Sequence, residues 1–109
     1  MPEIKKKYTG DGADKCVVIG IDENILALNQ FNTLNDFVDN EVKGGVKFFT
    51  FDLSDLKSIN SSGLGILISG LKNVKKSNGS LKIINANEKI LNIFKLTKLD
   101  NVFEFETSL

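Results

Sequence analysis

Short apolar runs along the chain predict β-strands. Residues 16–21, 46–53 and 81–84 are rich in β-branched or aromatic side chains, which is typical of strands. In residues 46–53 the apolar side chains fall on both parities, which indicates a strand covered on both faces. Residues 3–8 are a further candidate, and their three consecutive lysines are typical of an exposed sheet edge. The Gly-Asp-Gly at residues 10–12 predicts a turn that joins the first two strands in a hairpin.

Between these runs the apolar residues recur every three or four positions, which predicts three helices. The positions in the three segments are Phe31, Leu34, Val38 and Val42; Leu64, Leu67, Ile68, Leu71 and Val74; and Ile90, Leu91 and Phe94. The first helix is expected over about residues 25–42 and to end at Gly44 and Gly45. Asn85 and Asn87 are candidate caps of the third helix.

The order of elements predicts the fold class. Val102, Phe103 and Phe105 complete the pattern with a last strand, so that the order is β-β-α-β-α-β-α-β. Strands that alternate with helices imply an α/β protein with a mostly parallel sheet and helices packed on it, and the hairpin makes the sheet mixed. A chain of this length predicts a single domain over residues 1–109. Functional loops of such sheets lie at the carboxyl ends of the strands, where residues 54–61 are expected.

Composition narrows the classes of partner and the compartment. The 14 basic residues, all of them lysines, balance 14 acidic residues. A neutral chain without arginine argues against nucleic acid and anionic membranes as partners. The one cysteine, Cys16, offers no internal disulfide and is expected to be a small buried side chain in a reducing compartment. Because the first residues lack the apolar core of a signal peptide and no run is long enough to span a bilayer, we expect a cytoplasmic protein.

The chain offers little for catalysis, metals or cofactors. There is no histidine, which excludes a Ser-His or Cys-His nucleophile pair and an ordinary zinc site. Asp52 and Asp55 flank a strand-to-loop junction, where carboxylates commonly cap backbone groups or are solvated. Gly63 and Gly65 do not continue into a nucleotide-binding loop, since Ile68 occupies the next motif position. We therefore expect no enzymatic activity, no catalytic residues, no cofactor and no metal.

The most informative segment is residues 51–65, Phe-Asp-Leu-Ser-Asp-Leu-Lys-Ser-Ile-Asn-Ser-Ser-Gly-Leu-Gly. It predicts a buried strand that leads through a polar loop to Ser61 and Ser62 at the start of a helix. These serines either cap the free backbone N–H groups or accept a phosphate, which the positive end of a helix favours. Gly65 lies inside the predicted helix, where glycine costs about 1 kcal/mol relative to alanine. Close approach by another backbone or by a partner would explain this glycine.

This segment resembles the motif of the STAS-domain anti-sigma factor antagonists, in which Asp-Leu-Ser and a six-residue spacer precede Ser-Ser-Gly-x-Gly. Residues 79–85 and 93–100 are also similar to the family. The resemblance implies a STAS-type fold and a protein that binds an anti-sigma factor with serine-kinase activity, which releases the sigma factor. It also implies a serine phosphatase as a further partner. In this family the kinase phosphorylates the serine after the acidic residue of the motif, and phosphorylation releases the antagonist.

Carried over residue by residue, the resemblance implies that Ser61 is the phosphorylated serine. The residues implied to bind the partner are Asn60, Ser62, Gly63, Leu64 and Ile66. By its spacing Ile66 falls off the face formed by Leu64, Leu67 and Leu71. It is therefore expected either to flank the docking surface or to pack under a neighbouring loop.

The chain also departs from the family pattern, which leaves alternatives open. Asn60 stands where the family usually has Asp, and Lys98 stands where it usually has Gly. The usual C-terminal helix is not evident after the last strand. One alternative is a STAS scaffold that assembles with other proteins and is never phosphorylated. Another is a small-ligand carrier that uses the cleft beside residues 54–61. We expect a monomer.

Overall fold

The computed structural model describes residues 5–10, 15–23, 31–99 and 103–106. The strands within these residues are β1 Lys5–Thr9, β2 Cys16–Gly20, β3 Phe48–Asp52, β4 Ser80–Ile84 and β5 Glu104–Glu106. The helices within them are α1 Phe31–Lys43, α2 Ser61–Lys76 and α3 Glu88–Leu96. The predicted order of elements is confirmed. Predictions that fall on residues 3, 4, 11, 12, 25–30 and 102 lie outside the described residues.

The strands form one mixed sheet in the spatial order β1-β2-β3-β4-β5. β1 runs antiparallel to β2, with Lys5 opposite Gly20, and the other neighbours are parallel. Val17 is level with Phe49, and Phe49 is level with Leu81. The prediction of a mixed, mostly parallel sheet is therefore confirmed, and the hairpin of β1 and β2 is its antiparallel part.

One face of the sheet forms the core with the helices. Ile19, Phe51 and Ile83 lie side by side on the same face of the sheet, because successive side chains alternate between faces, and all three are fully buried. α2 packs against both β4 and α1. A Cβ added at Gly70 of α2 would lie 3.1 Å from Cζ of Phe51, so this glycine allows the helix to approach β3 closely.

Glycine and asparagine residues mark the ends of the helices, largely where the sequence predicts. α1 ends at Lys43, directly before Gly44 and Gly45, and Gly45 has a φ of 97°, which favours glycine. Asn87 is the N-cap of α3, as predicted, and its side chain accepts a hydrogen bond from the N–H of Ile90. Asn85 does not cap this helix, because its amide group donates to Asp52 instead.

An aromatic cluster fastens the last strand to α3. The ring of Phe94 packs edge-on against Phe103 and Phe105, with centroid separations of 5.4 and 5.1 Å. Phe94 is fully buried, so this contact places β5 beside β4 at the edge of the sheet. In the described part of the chain, no helix has the length and apolar character that crossing a membrane requires.

Candidate functional site

The loop between β3 and α2 follows a fixed path along the carboxyl edge of the sheet. The Leu53 N–H donates to the Ile84 carbonyl at 3.0 Å, and the Leu56 N–H turns back to the Leu53 carbonyl at 3.0 Å. The Leu56 and Ile59 side chains are 2% and 8% exposed and belong to the core. These two anchors leave the residues between them at the surface and bring the chain to the start of α2.

Asp52 holds the first turn of this loop. Its Oδ1 accepts hydrogen bonds from the Ser54 N–H at 3.0 Å and from Nδ2 of Asn85 at 3.1 Å. Partial burial disfavours the charged carboxylate, but the bonds from Asn85 and Ser54 outweigh it and hold the pKa of Asp52 below its usual range. Asp52 is therefore a structural carboxylate that joins the ends of β3 and β4.

The start of α2 is capped by Asn60. Its Oδ1 accepts from the Gly63 N–H at 2.8 Å, and its backbone carbonyl accepts from the Leu64 N–H at 2.9 Å. Ser61 and Ser62 are the first two helical residues and do not take the cap position. The interpretation of the serines as caps is therefore wrong, since the side chain before them already fills that role.

The two serines lie at the surface of this helix start. Ser61 and Ser62 are exposed. Within the described ranges, no hydrogen bond to their backbone N–H groups is found, as is usual for the first residues of a helix. Ser61 thus presents a hydroxyl beside free N–H groups at the positive end of a helix of 16 residues. The exposed position leaves the hydroxyl accessible from solvent, and a negative charge added there would meet favourable electrostatics.

The other residues that the resemblance implies are divided between surface and core. Asn60 is exposed, whereas Gly63 and Leu64 are buried, Leu64 at 7% exposure. Ile66 is fully buried. Of the two alternatives for Ile66, its burial excludes an exposed position flanking the docking surface and favours a packed one; α2 packs against α1 as well as the sheet, so its buried face is wider than one stripe. Whether these residues bind a partner stays a prediction.

Among the described residues, no packing contact explains Gly65. A Cβ added there would meet no atom within 4 Å. The close approach by another backbone that the sequence suggested is therefore not found for this glycine. The open space beside Gly65, the notch, lies one helical turn after Ser61.

This loop carries no metal-binding cluster among the described residues. No cluster of three or more possible ligand side chains is found in that part of the chain. A cavity of about 400 Å³ lies at the other end of the sheet instead. It is lined by the first residues of the strands and their neighbours, including Cys16, Phe48, Thr50, Ser80 and Lys82. This cavity is separate from the loop at residues 54–61, so the alternative of a small-ligand carrier that binds beside that loop stays a prediction.

The sequence and fold now identify the family. The sequence profile of the STAS domain matches residues 8–109. The chain belongs to the STAS domain family. This STAS domain is 36% identical over 52 residues to the anti-sigma-B factor antagonist of Bacillus subtilis, an alignment that covers 48% of each protein. The chain spans about half the length of the relatives that it matches in sequence.

Solved structures show the same fold. The STAS domain is similar to the NMR structure of the protein TM1081, with a TM-score of 0.79 at 24% identity over 93% of this chain and 79% of that one. It is also similar to the unphosphorylated anti-sigma factor antagonist SpoIIAA, with a TM-score of 0.71 at 14% identity over 94% and 89% of the chains. The phosphorylated form of Bacillus SpoIIAA gives a TM-score of 0.63 at 15% identity over 94% and 92%. The predicted STAS-type fold is therefore confirmed.

Sequence reasoning missed the role of two asparagines that follow β4. Asn85 bonds to Asp52, and Asn87 bonds to the carbonyls of Leu56 and Lys57 in the loop before α2. The available signal was positional, since the carboxyl ends of neighbouring parallel strands meet at one edge of a sheet. β3 and β4 are such neighbours, so side chains that follow these two strands are expected to lie close together.

Proposed function

We propose that this STAS domain is an anti-sigma factor antagonist that binds an anti-sigma factor with serine-kinase activity and is switched off by phosphorylation at Ser61. The observation that carries the proposal is the exposed Ser61 hydroxyl at the first position of α2, directly after the cap Asn60. Relatives support the class of function, because the Bacillus subtilis relative is an anti-sigma-B factor antagonist. SpoIIAA, which shares the fold, has been solved in a phosphorylated form.

Phosphorylation at Ser61 would change the surface without unfolding the domain. A phosphoserine adds about −1.5 to −2 charges at neutral pH. At the first turn of a helix this charge is favoured by the free N–H groups and the positive end of the dipole. The neutral side chain of Asn60 keeps the cap without placing a carboxylate beside the phosphate. The proposed switch therefore acts on docking and leaves the fold intact.

The proposed docking surface is the exposed start of α2. It consists of Asn60, Ser61 and Ser62, and the exposed Lys57 and Ser58 adjoin it in the loop. The buried residues Gly63, Leu64 and Ile66 support this surface from below. Their partner-binding role would be to hold the shape of the helix start. A serine phosphatase that removes the phosphate would restore docking.

A STAS scaffold that is never phosphorylated is the second candidate function. Asn60, which replaces the usual Asp beside the phosphorylated serine, favours this candidate. An asparagine keeps the hydrogen-bonding capacity of the cap but carries no charge that a kinase could recognise. Both candidates share the docking surface and differ in whether Ser61 accepts a phosphate.

Incubation with ATP and an extract of the source bacterium tests the proposal, with intact-mass analysis of the recovered protein. Wild type is expected to gain one phosphate. Ser61→Ala is expected to gain none, and the matched control Ser62→Ala is expected to gain one. A wild-type protein that binds an anti-sigma factor but never gains a phosphate would instead establish the scaffold.

A further inference from the structure

The loop that leads to Ser61 is held from the side by α3, through Asn87. Nδ2 of Asn87 donates to the Lys57 carbonyl at 2.9 Å and to the Leu56 carbonyl at 3.4 Å. These partners lie 30 and 31 residues earlier in the chain. The contact therefore joins two elements that the sequence keeps apart.

The same side chain also fixes the start of α3. Oδ1 of Asn87 accepts from the Ile90 N–H at 2.8 Å, and its backbone carbonyl accepts from the Leu91 N–H at 2.9 Å. An amide is the group that performs both tasks, because its oxygen accepts while its nitrogen donates two hydrogen bonds. Aspartate would serve the cap equally well but would have no donor for the two loop carbonyls.

The loop has few other restraints between its anchors. Leu56 and Ile59 are held by burial, and Asp55 forms an exposed ion pair with Lys5 at 3.3 Å. Exposed ion pairs contribute little, so among the described residues the main restraint on the Lys57 backbone is Asn87, which adds to the Leu56 N–H bond with the Leu53 carbonyl. Three residues after Lys57 the chain reaches Asn60, the cap of α2.

We infer that Asn87 is a positioning residue that fixes the loop before α2 and, through it, the orientation of Ser61. This inference rests on the proposed function for its consequence at Ser61, whereas the fixing of the loop is independent of it. α3 thus takes part in presenting the serine although no residue of α3 belongs to the docking surface. A change at Asn87 is expected to alter how fast Ser61 is phosphorylated without altering which residue is phosphorylated.

Asn87→Asp tests the inference, because it keeps the capping oxygen and removes both donors. The matched control is Asn92→Asp, which makes the same chemical change at an exposed position of the same helix. Amide hydrogen exchange of the Leu56 N–H is expected to rise about three- to tenfold in Asn87→Asp, as for the loss of one or two hydrogen bonds. Exchange of the Ile90 N–H should stay unchanged in the same variant, because its cap remains. Neither amide should change in Asn92→Asp.

The second readout is the initial rate of phosphate incorporation at Ser61 with ATP and an extract of the source bacterium. We expect a lower rate for Asn87→Asp and the wild-type rate for Asn92→Asp. An unchanged exchange rate of the Leu56 N–H in Asn87→Asp would overturn the inference. An unchanged rate of phosphorylation would also overturn it if the Leu56 N–H of the same variant exchanges faster. If wild type itself takes no phosphate, the proposed function fails, while the comparison of Leu56 and Ile90 still decides whether Asn87 holds the loop.

Discussion

Oδ1 of Asn60 lies 2.8 Å from the backbone nitrogen of Gly63, so the residue directly before the proposed phosphorylation site is itself the N-cap of α2. The cap residue Asn60 and the proposed phosphorylation site Ser61 are therefore adjacent residues with different roles. The Asn60 side chain satisfies an N–H of the first turn, and Ser61 remains exposed for chemistry. An aspartate could form the same bond, but its charge would lie beside a phosphate on Ser61.

Removal of the cap is expected to destabilise the folded protein. Asn60→Ala should lower the free energy of unfolding by about 1 kcal/mol, because an N–H of the first turn loses its acceptor. Asn60→Asp should keep the stability, since a carboxylate also caps and favours the positive end of the helix. Urea denaturation monitored by circular dichroism measures both. Asn92→Ala in α3 is the control, and equal stability of Asn60→Ala and wild type would show that the cap contributes nothing.

A permanent negative charge at Ser61 is expected to weaken docking and spare the fold. Ser61→Asp places a carboxylate at the first position of α2, where it should stabilise the helix by about 0.3–1 kcal/mol. Its affinity for the anti-sigma factor, measured by calorimetric titration, should fall. Asn78→Asp adds the same charge beyond the other end of α2 and should bind like wild type. Equal affinities of all three proteins would count against the switch.

The sequence predicts those parts of α2 that follow from a single periodic pattern. The spacing of Leu64, Leu67 and Leu71 requires one buried helical face, and all three side chains are buried. It leaves the position of Ile66 open between surface and interior, because a one-stripe pattern assumes one packing partner. α2 has two, the sheet and α1, and its buried residues therefore cover more than one stripe.

The features of the candidate site also fall into two groups, those set by the local sequence and those set by contacts between residues far apart in the chain. Ser61 could be found from the sequence because the motif is local and its position at a helix start follows from the apolar pattern after it. The bonds of Asn85 to Asp52 and of Asn87 to Lys57 join residues 33 and 30 positions apart. No local pattern encodes such pairs, since they arise only when β3 and β4 lie side by side in the sheet.

An alanine at Gly65 is expected to stabilise the protein and weaken partner binding. Glycine in a helix interior costs roughly 0.5–1 kcal/mol relative to alanine, and a Cβ at Gly65 meets nothing within 4 Å. Gly65→Ala should therefore raise the free energy of unfolding. If the notch beside Ser61 admits the partner, the same methyl group should lower the affinity for the anti-sigma factor. Unchanged affinity in a stabilised variant would show that the notch has no part in docking.

For Gly79→Ala the packing geometry predicts the opposite effect to that of Gly65→Ala, a decrease in the free energy of unfolding. A Cβ there would lie 2.7 Å from the Lys47 carbonyl oxygen and 2.9 Å from Cγ1 of Val74. Neither the Lys47 backbone nor the buried Val74 side chain can move away without an energetic cost, so we expect the free energy of unfolding to fall by about 1–3 kcal/mol. Urea denaturation of the two glycine variants side by side measures the contrast. A Gly79→Ala protein as stable as wild type would contradict the close packing between β3, α2 and β4.

The tyrosine on the first strand is expected to titrate at unusually high pH. Tyr8 donates its hydroxyl to Glu41 of α1, and this hydrogen bond, with partial burial and the charge of Glu41, raises the pKa of Tyr8 to about 12. Tyr8 is the only tyrosine and there is no tryptophan, so ultraviolet absorbance of tyrosinate reports on this group alone. Glu41→Ala should return the midpoint towards the ordinary value near 10. A wild-type titration midpoint near 10 would mean that the hydrogen bond between Tyr8 of β1 and Glu41 of α1 does not persist in solution.

The same hydrogen bond between Tyr8 and Glu41 predicts how the free energy of unfolding changes at alkaline pH. The folded state holds the Tyr8 proton more tightly than the unfolded chain, whose tyrosine has a pKa of 10.0. The stabilisation is therefore fully present below pH 10 and is lost as the pH rises towards about 12. Lysines also lose charge in this range, so the relevant quantity is the difference between wild type and Tyr8→Phe in urea denaturation. That difference should shrink with rising pH, and a difference that is constant from neutral pH to pH 12 would show that the hydroxyl contributes nothing through Glu41.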